Sequence, residues 1–243
     1  MKTLWFASCL VVVVAGVAQG FPIAYEGVSY PPSPLGGHGP AFGFAAPWAA
    51  DPGVNVLAAG LSHPLDLPSS GGAVGGFFNF VAPLTGTLSP TPGKEFWASV
   101  LIFHFGPNDQ TFMGLSPAGA VLGDLPAVAI GVRLGQYGIF QGAAFTPSGV
   151  LFTPAGATDL LIAHFVAGGA TWNVSLFVNR LPFGAPDLSL NVAPVVYGTM
   201  VNQNQAEFES DEFRLGDLAS DVSAAGVVPT LETTWGRLKA RFH

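Results

Sequence analysis

The chain predicts an all-β fold, a two-sheet antiparallel sandwich, and three observations carry that prediction. Leu160 to Asn179 (LLIAHFVAGGATWNVSLFVN) reads as two strand-like segments around Gly168-Gly169, almost without charge. Residues 207–217 (EFESDEFRLGD) alternate acidic and apolar side chains and stop at Gly216, which is how a closing strand ends. Gly 32 and Pro 21 are balanced by Phe 20 and 49% hydrophobic residues. A chain that apolar can offset its ordering entropy, so the glycines and prolines punctuate short strands and do not signal disorder.

Taken in order, residues 21–30 (FPIAYEGVSY) form a first strand with Glu26 near its middle. Residues 31–93 carry clusters such as Pro-Pro-Ser-Pro and Ser-Ser-Gly-Gly, with short strands expected at Val54–Ala59 and Ala73–Phe80. Glu95 to Phe105 (EFWASVLIFHF) is apolar on both faces, as a strand covered on both sides would be. Asn108-Asp109 marks a turn, and Thr111–Ser116, Ala127–Leu134, Tyr137–Gln141 and Val150–Phe152 are further short strands. Asp159–Val166 and Thr171–Asn179, joined by Ala-Gly-Gly-Ala, make the clearest hairpin in the chain. Within it Val174, Leu176 and Val178 alternate with Asn173, Ser175 and Asn179, so one face is buried and the other wetter. A connection then leads to Phe208–Leu215, which closes a sheet. About ten short strands without sustained helical periodicity indicate a sandwich or barrel.

The ends differ from the body. Lys2, an apolar run from Leu4 to Val17 and small residues at Ala18 and Gly20 follow the plan of a secretory signal peptide over residues 1–20. The run is short for a membrane span, so no span is expected after cleavage. Cys9 is the single cysteine and lies in that segment, which leaves the exported chain without disulfides or thiolate metal sites. Residues 21–226 form the expected sandwich domain. They hold Lys94, Arg133, Arg180 and Arg214 against fourteen acidic side chains. Nucleic acid needs a basic footprint and is excluded as a partner. Residues 227–243, with Arg237, Lys239 and Arg241, read as a loosely packed basic tail, and the domain is expected to be a monomer.

The order YEGVSYP (Tyr25–Pro31), LSHP (Leu61–Pro64), a later GGAVGG, EFWASVLIFHF, GLSP, LLIAHF, VSLFVN and DEFRLGDLASDV (Asp211–Val222) resembles secreted bacterial jelly-roll proteins. Their class is concanavalin A-like or laminin G-type, common among proteins with a C-terminal Pro-Glu-Pro sorting signal. The resemblance spans most of the exported chain. It stops at Val228-Pro229-Thr230-Leu231-Glu232, where no apolar helix follows, so sorting by that route is not implied.

What the resemblance implies can be weighed residue by residue. Laminarinase-type glycosidases of this fold use a Glu-x-Asp-x-(x)-Glu strand. Glu209-Ser210-Asp211-Glu212 begins that way, but Phe213 and Arg214 follow and the second glutamate is missing. Retaining hydrolysis needs two facing carboxyls, so no catalytic residue is assigned and the acids read as solvated groups on a sheet-edge strand. Jelly rolls of this type also hold a structural calcium between first and last strands, which implies Glu26 and Asp211 as ligands.

Other candidates come from the residues themselves. His38, His63, His104, His164 and His243 show no ligand spacing, and His104 and His164 read as hydrogen-bonded core or rim residues. Trp97 and Trp172 sit among apolar residues and read as core. Trp48, in a Pro/Gly-rich loop, is the tryptophan expected at the surface. Trp48 and Tyr137 are therefore the candidate sugar-stacking residues. The resulting reading is a non-catalytic secreted domain that binds polysaccharide or another envelope component. A divergent glycoside hydrolase or polysaccharide lyase, and a structural matrix protein, remain the alternatives.

Overall fold

A computed structural model describes residues 22–69, 71–106, 110–152, 156–205 and 208–224. The expected signal peptide and basic tail, and the turn at Asn108-Asp109, lie outside them. Among the described residues fifteen strands follow one another. They are β1 (Pro22–Glu26), β2 (Ala49–Ala50), β3 (Val54–Val56), β4 (Val74–Gly76), β5 (Phe78–Leu88), β6 (Glu95–His104), β7 (Gln110–Ser116) and β8 (Val128–Arg133). Then come β9 (Gln136–Gln141), β10 (Ala144–Leu151), β11 (Thr158–Ala167), β12 (Trp172–Val178), β13 (Leu188–Val192), β14 (Tyr197–Asn204) and β15 (Phe208–Gly216), followed by a 3₁₀ turn at Ala219–Asp221.

The strands form two antiparallel sheets, and the fold is the expected all-β, two-sheet antiparallel sandwich. One sheet runs β13-β12-β11-β6-β15-β4-β3, with β1 also on β15; the other runs β10-β9-β8-β7-β14-β5-β2. Strand β15 lies inside the first sheet. Strand β6 takes one of its edges, while β4 (at Glu209 and Ser210) and β1 (at Phe213 to Gly216) share the other. The reading of β15 as a sheet edge with solvated acids is corrected by this, because Asp211 and Glu212 are fully buried.

The connection expected between residues 179 and 208 is also corrected. It contains β13 and β14, and β14 is an inner strand of the second sheet, between β7 and β5. Its sequence, YGTMVNQN, shows no alternation because it is covered on both faces, with Thr199, Asn202 and Asn204 all buried. Buried amides are tolerated where they are bonded: the Asn204 amide donates to Val74 O at 3.0 Å and to Ser210 Oγ at 2.9 Å.

Even-numbered residues of β6 (Phe96, Ala98, Val100, Ile102) point into the sandwich, where they meet Leu161, Val174, Leu176, Ile130, Ile139 and Met200. The odd-numbered face of β6 is covered as well at Leu101 and Phe103. Leu57, Leu61 and Leu65 of the segment after β3, together with Val222, pack on Leu101, Leu160, Ile162 and Phe177. That second layer explains why β6 and the first half of β11 carry apolar residues on both faces. The GGAVGG run lets this segment close: Gly76 holds φ 103°, and a Cβ there would lie 2.0 Å from Gly53 O, a position only glycine fills.

Candidate functional site

The two expected stacking residues are both core, which corrects the placement of Trp48 at the surface. Trp48 is 2% exposed and packs edge-on against Phe80 at 5.5 Å, beside Phe44 at 5.4 Å. Its Pro/Gly-rich loop folds back on itself, with Trp48 N donating to His38 O at 2.8 Å and Gly37 N to Trp48 O at 2.9 Å. Such a loop buries its large aromatic because that ring brings most of the loop's apolar area. Tyr137 is 0% exposed. Its hydroxyl donates to the Asp159 carboxylate, which also accepts from Asn179 Nδ2 at 2.6 Å and lies 3.3 Å from His104 Nε2. This group ties β6, β9, β11 and Asn179 together between the sheets, as a hydrogen-bonded core histidine would.

Glu26 and Asp211 lie on paired strands, β1 and β15, but their oxygens are already used. Glu26 accepts from Val28 N and the Tyr30 hydroxyl, each at 2.5 Å, from Ala41 N at 3.2 Å and from Trp48 Nε1 at 3.4 Å. Burial and this neighbouring carboxylate push the Tyr30 hydroxyl well above the usual phenol range. Asp211 accepts from Leu61 N at 2.8 Å and Glu212 N at 2.7 Å. Calcium gathers six to eight oxygens, several of them from its carboxylates. Here the donors converging on both side chains are N–H and O–H groups, so the pair does not fit a calcium ion. Among the described residues no group of three or more His, Cys, Asp or Glu side chains converges for a metal.

Asp211 belongs instead to a buried charged cluster. Arg214 pairs with both Asp66 and Glu212, all three buried, and lies 5.3 Å over the Tyr25 ring. Glu212 occupies the left-handed region at φ 54° within the β15 bulge, which directs it toward this arginine on its own strand. Burial, reinforced by the Glu212 charge, pushes the Asp211 carboxyl up to about 8. Burial also raises Asp66 above its ordinary value, against the lowering pull of Arg214. The carboxylates of Asp211 and Glu212 are thus locked to the fold, not presented across a cleft.

The exposed chemistry lies on the outer face of the first sheet, on strands β6, β11, β12 and β13. Two adjacent rows cross these four strands. In register, Trp97 faces His164, His164 faces Ser175 and Ser175 faces Ser189. In the next row Glu95 faces Val166, Val166 faces Asn173 and Asn173 faces Asn191. Trp97 and His164 stack with centroids 3.7 Å apart and planes 4° from parallel. Glu95 Oε2 lies 2.9 Å from His164 Nε2, and these two side chains are 51% and 21% exposed. Asn173 Nδ2 donates to Asn191 Oδ1 at 3.1 Å, and the Ser175 and Ser189 hydroxyls meet at 2.8 Å. Three inter-strand steps make this surface about 14 Å wide.

The expectation that Trp97 is core is corrected: it is half-buried on this outer face. Its parity opposes Phe96 and Ala98, and that parity was the available signal. The same alternation places His164, Asn173 and Ser175 outward beside it. Trp172, by contrast, is core as expected, with Nε1 donating to Val195 O at 2.9 Å.

Fold and face together define a two-sheet antiparallel β-sandwich with a polar, aromatic-edged sheet surface. No family model matches the chain, and no curated protein matches it. Solved structures are similar to it at low identity. The carbohydrate recognition domain of Emp46p in its metal-free form is 11% identical, with TM-score 0.41, covering 69% of this chain and 87% of that one. The lectin UEA-II complexed with galactose is 12% identical, with TM-score 0.40, covering 70% and 92%. A human SPRY domain is 13% identical, with TM-score 0.40, covering 62% and 94%.

Proposed function

We propose that the chain is a secreted, non-catalytic sandwich that binds extracellular polysaccharide through the outer face of β6, β11, β12 and β13. The observation that carries this reading is the pair of cross-strand rows. One row presents the edges of a Trp97–His164 stack, and both continue into hydroxyls and amides. Sugars offer dense arrays of hydroxyls beside apolar ring faces. A recognising surface therefore needs donors and acceptors next to an aromatic body, which these residues supply. The side chains are already interlocked by hydrogen bonds, so little rotamer freedom is lost when a ligand settles on them. An acidic carboxylate at Glu95 favours neutral over anionic polymers.

A glycan-array screen of residues 21–243, followed by calorimetry on the sugars it finds, tests the reading. Trp97→Ala and Asn173→Ala are each expected to weaken binding about tenfold, equivalent to about 1.4 kcal/mol, without loss of the folded transition. Binding unaffected by either substitution, or release of reducing ends from the bound polymer, would overturn it.

A further inference from the structure

At the end of this face, the sandwich holds a cavity of about 370 Å³ lined by Ile23, Thr87, Ser89, Thr91, Lys94, Glu95, Phe96, Trp172 and Asp217, among others. We propose that it is a subsite for the terminal unit of a neutral sugar chain whose next units lie along Trp97. This inference rests on the reading of the outer face given above, and adds to it which part of the polymer is recognised.

Continuity with the face is built into the strand order. Glu95 lines the cavity and also meets His164 on the outer row. Asp217 follows Gly216, which faces Trp97 across the β15–β6 ladder. Ile23 follows Pro22, the β1 residue opposite Gly216. Three chain segments therefore converge beside the Trp97 edge: the start of β1, the β5–β6 connection and the exit from β15.

The lining is suited to hydroxyls. Thr87, Ser89, Thr91, Lys94 and Asp217 are exposed, and their side chains make no hydrogen bond or ion pair with another described residue. An ammonium that donates and a carboxylate that accepts, with three hydroxyls that do either, can bridge neighbouring hydroxyls of one ring. Two acids against one base leave the cavity without the excess positive charge that a sugar acid or phosphate would require.

The cavity's shape argues for a chain end. Phe96 and Trp172, both buried in the sandwich core, line the cavity and close it toward the interior, where a chain entering from the face would end. Its volume lies toward the low end of the ~300–1,000 Å³ typical of ligand sites, enough for one or two units. An apolar wall under polar rims is also what a pyranose, with its apolar ring face and polar edge, would contact.

The test uses the full exported chain and three probes: glucose, maltoheptaose with free ends, and β-cyclodextrin, which is the same seven units without ends. The same comparison is repeated with galactose, mannose and N-acetylglucosamine as single units. Saturation-transfer NMR is expected to show one of the single sugars bound, with Asp217→Ala and Lys94→Met each weakening it at least tenfold. A linear oligosaccharide of the bound sugar should lose affinity in both the cavity variants and Trp97→Ala. The cavity side chains are exposed, so unchanged melting of these variants separates lost binding from lost fold.

Oligosaccharide binding that depends on Trp97 but not on Asp217 or Lys94, or equal affinity for linear and cyclic forms, would overturn the subsite and leave the face standing. Binding that depends on the cavity residues and ignores Trp97 would do the reverse. No binding by any probe or by the array would overturn both.

Discussion

Asp211 illustrates how burial sets the properties of a single residue. Its carboxyl is pushed up to about 8 by burial, with Glu212 adding to the effect, whereas in the unfolded chain it titrates near ~3.9. The native state therefore holds a proton that the unfolded state releases. The stability contribution is full below about pH 4 and is lost as pH rises toward 8, by at most about 1.4 kcal/mol per pH unit. The His63 imidazole is held down by burial and works in the opposite direction around pH 6, so the clearest window is pH 7 to 8. Urea unfolding at pH 7.0 and 8.0 should show the fall. In Asp211→Asn it should flatten, while overall stability drops because an amide nitrogen replaces one acceptor of a backbone N–H. A wild-type protein equally stable at both pH values would refute the assignment. Leu176, 0% exposed at the centre of β12, tests packing in the same way. Leu176→Ala should cost about 2–5 kcal/mol, and a cost under about 0.5 kcal/mol would show that the strand faces the other way.

The segment between β3 and β4 matters most at the scale of elements. It lies over the first sheet through Leu57, Leu61 and Leu65, and polar ties to β15 secure it: Leu61 N to Asp211, and Asp66 to Arg214. Arg214 neutralises two buried carboxylates, Asp66 and Glu212. Arg214→Met would remove the buried cation that both carboxylates face, which costs about 3–5 kcal/mol. Equilibrium denaturation should show that loss, and adding Asp66→Asn should recover part of it because the two sites are coupled. A double variant less stable than the single one by the full cost of each would mean that the arginine does not hold this segment. The segment's sequence, rich in Pro, Ser and Gly, reads as an irregular connection because its order comes from partners about 150 residues away.

For the whole molecule, the pairings are non-local. The first strand closes on the last, β6 pairs with β15, and β5 pairs with β14. Loop-closure entropy must be met before such contacts stabilise anything, which makes sandwiches slow folders. Refolding from urea should accordingly take milliseconds to seconds or longer, and complete refolding within microseconds would contradict this topology. The two outer faces are also used differently. The outer face of the first sheet is covered over Leu101 and Phe103 of β6 and left polar from Glu95 and Trp97 across to β13, and the proposed binding face is that uncovered flank.

The sequence by itself determined the fold class, the β11–β12 hairpin, and the parity by which Val174, Leu176 and Val178 face inward. Those features follow from local periodicity and turn residues, which need no knowledge of distant partners. Only the tertiary structure decided the rest. Strand β14 was invisible because both its faces are covered, which removes alternation. Residue type alone marks Trp48 and Tyr137, and resemblance alone Glu26 and Asp211, but burial depends on which segments fold over them. The outer rows existed in sequence only as separate odd and even positions. Register across β6, β11, β12 and β13 aligned them into a surface, because cross-strand neighbours are set by pairing and not by sequence distance.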